Sequence, residues 1–424
     1  MSGAAVRALH FLFLQGMPSP FFRRIAAGLE AHGCRTTGVN FCMGDRLFWG
    51  GRRAVNYRGS LADWPAYIDA FLMREGVTDL VLLGEQRRYH QEAIAAAQAR
   101  GIRVTVTDFG YLRPDWITLE RDGMSGNSRF PRRMDEVRRL AALAPKSDLA
   151  PRYSDSAVGM ALGDLRYSFS TVLFWWLYPN YQRSDRRPHP ILYFPAIGGR
   201  LLAARLTAHR ARRQMAALLG GEAKYFVLPL QLEHDFQIIS YSPFASLLEP
   251  LQAVIRSFAA HSTPGMRLVV KAHPWDPGLR RWPAIVRRLA AASGVGERVD
   301  YLDGGDLDEM LRAAEGMVTV NSSAGLQALK LGCPVKTLGQ AIYDIPGLSY
   351  QESLDEFWRH ATPPDPEAVA AFIDALAGSI QIRGVFFREP GLSAAVEQAV
   401  ERLHTGTVGT GPIASARPAG SPPL

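Results

Sequence analysis

The chain has 424 residues, of which 47% are hydrophobic and 21% charged. That composition excludes wholesale disorder, a collagen-like repeat and a small disulfide scaffold, and the length fits two or three domains of roughly 100–200 residues each. Lys plus Arg number 48 against 40 Asp plus Glu, a formal charge of +8 that favours an anionic partner such as nucleic acid, lipid or a nucleotide-sugar.

The apolar run Leu9 to Leu14 is too short for a signal-peptide core. The longest apolar candidate, Thr171 to Tyr178, falls far below the roughly 18 residues of a membrane span. Cys34, Cys42 and Cys333 have no CxxC or metal-ligand spacing and fit a reducing cytoplasm. The expectation is a soluble or membrane-peripheral protein.

In chain order, His10 to Gly16 reads as a strand ending in a turn. Phe22, Ile25, Ala26 and Leu29 share one face of a helix over Phe21 to His32. Thr36 to Phe41 reads as a strand, Leu61 to Glu75 as a helix, Asp79 to Gly84 as a buried strand, Tyr89 to Ala99 as a helix and Ile102 to Gly110 as a strand. This alternation predicts a parallel sheet covered on both faces. From Ser154 to Gly220 the chain is helical and basic, with Arg at 183, 186, 187, 200, 205, 210, 212 and 213. Strands then return at Tyr225 to Gln231, Met266 to Pro274, Glu297 to Gly304, Met317 to Ser323 and Pro334 to Gly339. The fold class is α/β, with two Rossmann-like domains and parallel sheets facing a cleft. The expected boundaries are 1–220, including the basic segment, then 221–385, a C-terminal helix over 386–404, and a disordered Gly- and Pro-rich tail over 405–424.

Four clusters sit at predicted strand ends, where open α/β sheets bind ligands. Asp108 ends one strand before Gly110, which permits a tight turn; it reads as a general acid or base, or as a capping aspartate. Its DFG triplet has no accompanying kinase loop. Gln231, Glu233, His234 and Asp235 follow a second strand; a carboxylate there reads as a nucleophile towards an anomeric carbon, or as part of a solvated loop. Lys271, His273 and Pro274 follow a third strand and offer cationic donors to a phosphate leaving group. Asn321, Ser322 and Ser323 precede a helical run, a phosphate seat that is also an ordinary N-cap. Finally, Phe174 to Arg187 mixes Trp and Tyr with Arg, which reads as an anionic membrane contact or as a core helix followed by a loop.

The segments FLQGMPSPFFRRIA (Phe13–Ala26), NFCMGDRLFW (Asn40–Trp49), YLRPDWITLE with GMSGNS, PLQLEHDFQI, KAHPWD and VNSSAGLQALKLGCPV occur in an order that resembles the KpsS/LipB capsular polysaccharide proteins. These belong to the bacterial β-Kdo glycosyltransferase group (Kdo is 3-deoxy-D-manno-octulosonic acid). The resemblance implies a GT-B architecture, CMP-Kdo as donor and no further cofactor or metal. It implies an enzyme peripheral to the cytoplasmic side of the inner membrane, building a Kdo linker on (lyso)phosphatidylglycerol. Its implied partners are the anionic lipid, the membrane surface, the capsule export machinery and a second Kdo transferase.

By the same resemblance, His273 and Pro274 match a motif holding the CMP phosphate, and Ser322 and Ser323 a serine pair at the same nucleotide. Asp235 matches a nucleophile and Asp108 an acid/base residue. Gln231 and Glu233 form an alternative pair, which leaves the choice of nucleophile between Glu233 and Asp235 open. Lys271 and Asn321 complete the donor-binding set. The rival readings are a GT-B transferase with another nucleotide-sugar and a non-catalytic export or assembly factor. A nucleic-acid partner is not expected, because no helix-turn-helix, zinc-finger or RNP pattern accompanies the charge.

Overall fold

The computed structural model describes residues 8–184, 186–233 and 235–409. Its strands are β1 (His10–Phe13), β2 (Arg35–Asn40), β3 (Ala54–Asn56), β4 (Asp79–Leu83), β5 (Arg103–Phe109), β6 (Trp116–Arg121), β7 (Tyr225–Pro229), β8 (Arg267–Lys271), β9 (Val299–Leu302), β10 (Gly316–Thr319), β11 (Val335–Thr337) and β12 (Gln381–Arg383). They form two α/β units. The first comprises the described parts of Met1–Phe130, Val137–Ser184 and Phe372–Leu424; the second, those of Pro131–Glu136 and Asp185–Ala371.

The first unit carries a seven-stranded sheet in the order β12-β6-β5-β4-β1-β2-β3. The strands from β5 to β3 run parallel, as the alternating pattern predicts. β6 pairs antiparallel with β5, and β12 antiparallel with β6, an edge the sequence reading did not anticipate. Successive residues of β1 face opposite sides of the sheet. Phe11 and Phe13 join Phe21, Ile25, Leu29, Ala399 and Leu403 in one core, while Leu12 joins Val39, Trp64, Ile68, Leu80 and Tyr89 in another. The helix Phe21–Ala31 buries the predicted face against the sheet and against the last helix, Gly391–His404. The helix Trp64–Glu75 begins with Pro65 in its first turn and ends at Gly76 in the left-handed conformation, both favoured boundary residues.

The second unit carries five parallel strands in the order β11-β10-β7-β8-β9. Phe226, Leu228, Leu268, Val270, Val318 and Trp358 lie in its core. The chain steps from β7 to β8 to β9 on one side of the sheet. It then returns to β7's other flank with β10. The strand order therefore reverses between β7 and β10, the position at which such sheets bind ligands.

The units depart from the expected boundaries. The basic helix Pro190–Leu219 belongs to the second unit: Ala211 packs beneath Gly304, Met215 against Gly305, and Arg200 pairs with Asp303. Residues from Phe372 onward return to the first unit, because β12 completes its sheet and the final helix covers it. The first residues of the segment expected to be disordered, 405–409, are instead packed onto the first unit. Thr405 and Gly406 bond back to the final helix, and Val408 is buried in the first core. The remainder, 410–424, lies outside the described residues.

Candidate active site

Three of the four clusters meet at the carboxyl end of the second sheet, because β7 lies directly between β10 and β8. Gln231 follows β7, Lys271 closes β8, and Asn321 follows β10. Gln231 and Asn321 are both buried and clasp each other across the switch point. Gln231 Nε2 donates to Asn321 Oδ1 at 3.2 Å, and the Asn321 amide N donates to Gln231 Oε1 at 3.4 Å. Asn321 Nδ2 also donates to the Gln237 and Tyr241 carbonyls, at 2.6 and 3.3 Å. Satisfied in this way, the two buried amides fix the loops after β7 and β10 in one register.

Ser322 caps the helix Ser323–Lys330, its hydroxyl accepting from the Ala324 amide at 3.2 Å. The Tyr343 hydroxyl donates to the Ser322 carbonyl at 2.5 Å from beneath. Gly325 makes this close approach feasible: a Cβ there would lie 2.1 Å from the Tyr343 hydroxyl. With Ser323 in the first turn, this helix end offers amide N–H groups and the positive end of the helix dipole.

Lys271 is only 8% exposed. Burial pushes its ammonium pKa down, opposed by the Asp303 and Asp306 carboxylates. Asp303 itself is held by Arg200. His273 Nδ1 accepts from the Trp275 amide at 3.1 Å, which leaves Nε2 as the proton-bearing nitrogen of the neutral ring. Pro274, in the same turn, is exposed.

The acidic candidates are placed differently. Asp235 caps the short helix Phe236–Tyr241, its Oδ1 accepting from the Gln237 amide at 2.9 Å. Glu233 pairs with Arg280 at 2.5 Å on a half-exposed surface. His234 lies outside the described residues. Asp108 belongs to the first unit, at the carboxyl end of β5. Its Oδ1 accepts from its neighbour's amide, Phe109 N, at 2.7 Å, and its Oδ2 is 3.7 Å from where a side chain on Gly84 would begin. Burial pushes its carboxyl pKa up, opposed by that amide and by Arg113 and Arg87. Gly110 is required by close approach: a Cβ there would lie 2.4 Å from the Trp116 carbonyl oxygen.

Sequence reasoning missed Arg280, Tyr343 and Gly325. The aromatic–basic segment is divided between the units. Trp175 and Trp176 are 63% and 55% exposed, so they are not core residues. Among the described residues no helix is long and apolar enough to cross a membrane, and no group of His, Cys, Asp and Glu has the makings of a metal site.

Residues 78–387 match a family model described as capsule polysaccharide biosynthesis protein. The capsule polysaccharide export protein KpsS of Escherichia coli is 29% identical over 91% of this chain and 100% of its own length. The capsule polysaccharide modification protein LipB of Neisseria meningitidis serogroup A is 33% identical over 90% of this chain and 92% of its own length. Among solved structures, the β-Kdo 2,7 transferase of Thermosulfurimonas dismutans KpsC aligns over 93% of this chain and 99% of its own, with a TM-score of 0.45 and 15% identity. The chain belongs to the family of capsule polysaccharide biosynthesis proteins.

Proposed function

We propose that the chain is a glycosyltransferase that moves β-Kdo from CMP-Kdo to a (lyso)phosphatidylglycerol acceptor, starting the lipid linker of a capsule polysaccharide. The observation that carries this reading is the placement of Lys271, His273 and the Ser322–Ser323 helix end after strands β8 and β10, on either side of β7 at the carboxyl end of one parallel sheet. A buried ammonium, an imidazole N–H and a helix N-terminus are together suited to the charge that grows on a departing CMP phosphate.

In this reading Asp235 attacks the anomeric carbon. The bond from that carbon to the CMP phosphate oxygen breaks, and the phosphate takes the electron pair. A lipid hydroxyl then displaces the carboxylate, giving its proton to Asp108, whose raised pKa suits a base. Two displacements retain configuration. Glu233 is the alternative nucleophile. The exposed Trp175 and Trp176 and the arginine-rich helix Pro190–Leu219 serve the anionic lipid surface.

A second reading has a specific observation behind it: Asp235 is engaged as an N-cap and Glu233 as an ion pair. A non-catalytic export or assembly factor would use both in this structural way. Incubation of the full chain with CMP-Kdo and lysophosphatidylglycerol separates the two readings. Lipid gaining the mass of one Kdo supports transfer. Unchanged lipid, with donor intact and protein folded, sinks the transferase reading for this donor and acceptor.

A further inference from the structure

The first sheet has a switch point of its own. The chain steps from β1 to β2 to β3 on one side, then returns to β1's other flank with β4. Backbone bonds tie three strand ends together there. Leu83 N donates to the Gln15 carbonyl and Gly84 N to the Thr107 carbonyl, both at 3.1 Å. Open α/β sheets bind ligands at such a place. Asp108, the base of the proposed reaction, follows Thr107 on β5.

The turn after β4 brings Arg87 to this end of the sheet. Gly84 takes the left-handed conformation at φ 61°, and His90 Nδ1 donates to its carbonyl at 2.7 Å. Arg87 then precedes the helix Arg88–Ala99. Its positive charge acts on the Asp108 carboxylate and on Tyr167 and Tyr181, two phenols that burial keeps neutral. The neighbouring groups are committed elsewhere. Glu85 Oε1 accepts from the Met124 amide at 3.1 Å, Arg88 Nη1 donates to Gln182 at 3.3 Å, and the Arg88 amide donates to Ser184 Oγ at 3.1 Å. The Arg87 guanidinium is half-buried and makes no hydrogen bond or ion pair among the described residues. Asp108 spends Oδ1 on the Phe109 amide and likewise has no ion pair among them. A guanidinium partly withdrawn from water without a counter-ion is suited to an anion that accepts two parallel hydrogen bonds.

We infer, on the transferase reading above, that Arg87 holds the phosphodiester of the acceptor and so selects an anionic lipid over a neutral one. A phosphoglycerol headgroup carries a hydroxyl and a phosphate in one small unit. The hydroxyl gives its proton to Asp108 as its oxygen attacks, and the phosphate stays unreacted on Arg87.

The test first measures binding without any sugar donor. The full chain is titrated by calorimetry with hexanoyl lysophosphatidylglycerol, with neutral hexanoylglycerol and with inorganic phosphate. Saturable 1:1 binding of the phosphodiester lipid is expected, with the other two weaker by ~10-fold or more. Arg87→Gln should weaken the phosphodiester lipid by roughly 10–100-fold and leave hexanoylglycerol unchanged, and Arg87→Lys should fall between. Arg88→Gln removes the same charge one residue away and should bind as the wild type does. Melting checks that each variant is folded. In the transfer assay, Arg87→Gln should raise KM for the lipid more than it lowers kcat. Absence of saturable lipid binding, equal affinity in folded Arg87→Gln, an equal loss in Arg88→Gln, or inorganic phosphate binding as tightly as the lipid overturns the inference. Binding as expected without transfer by the wild type overturns the transferase reading and leaves Arg87 as an anion site.

Discussion

An asparagine accepts a helix-capping hydrogen bond about as well as an aspartate, whereas a nucleophile must be a carboxylate. At Asp235 the observed cap and the proposed attack on the sugar can therefore be tested separately. Asp235→Asn should keep the melting temperature and lose Kdo transfer. Asp235→Ala should lose transfer and also about 1 kcal/mol of stability, read by urea unfolding. Full transfer by Asp235→Asn would move the nucleophile's role to Glu233. At this scale the sequence revealed the residue types and their places at strand ends, because an apolar run that stops at a polar residue is visible without coordinates. It did not reveal partners. Glu233 finds Arg280, and Ser322 finds Tyr343, across distances in the chain that only the packed sheet closes.

The helix Arg88–Ala99 docks through a residue of another kind. His90 is fully buried and its Nδ1 donates to the Gly84 carbonyl at 2.7 Å. Burial, with Arg87 adding to it, pushes the imidazole pKa from 6.5 down to about 3. Between those values the unfolded chain takes up a proton that the folded ring refuses. Stability is therefore intact above pH 6.5 and falls as acid is added, by up to about 1.4 kcal/mol per pH unit. His90→Asn keeps a donor for Gly84 and does not titrate, so its urea midpoint should fall less between neutral and mildly acidic pH. Equal pH slopes in the two proteins would remove His90 from the acid response. Elements with long apolar runs were legible in the sequence. β6 and β12 were not, because their buried positions include Thr118, Glu120, Gln381 and Arg383, which break any hydrophobic pattern.

For the whole molecule, apolar residues and positive charge are exposed together. Ile191, Leu192 and Leu206 are 58%, 64% and 78% exposed on a helix that also exposes Arg205, Arg210, Arg212 and Arg213. The chain should float with phosphatidylglycerol vesicles and not with neutral phosphatidylcholine vesicles, and salt should weaken the binding as it screens the arginines. Replacing Trp175 and Trp176 together by Ser should lower vesicle affinity about tenfold or more, the scale of one buried aromatic side chain. Vesicle binding indifferent to both salt and this double variant would count against a lipid-facing surface.

The first unit is discontinuous, with residues Asp185–Ala371 of the second running between its parts. This sets an order on synthesis. When the ribosome has added Ala371, every strand of the second sheet is present. The first unit still lacks β12 and the helix whose Ala395, Ala399 and Leu403 fill its core. Until those residues emerge, β6 remains an open edge and the helix Phe21–Ala31 has one apolar flank in water. The half of the protein made first is thus the half completed last.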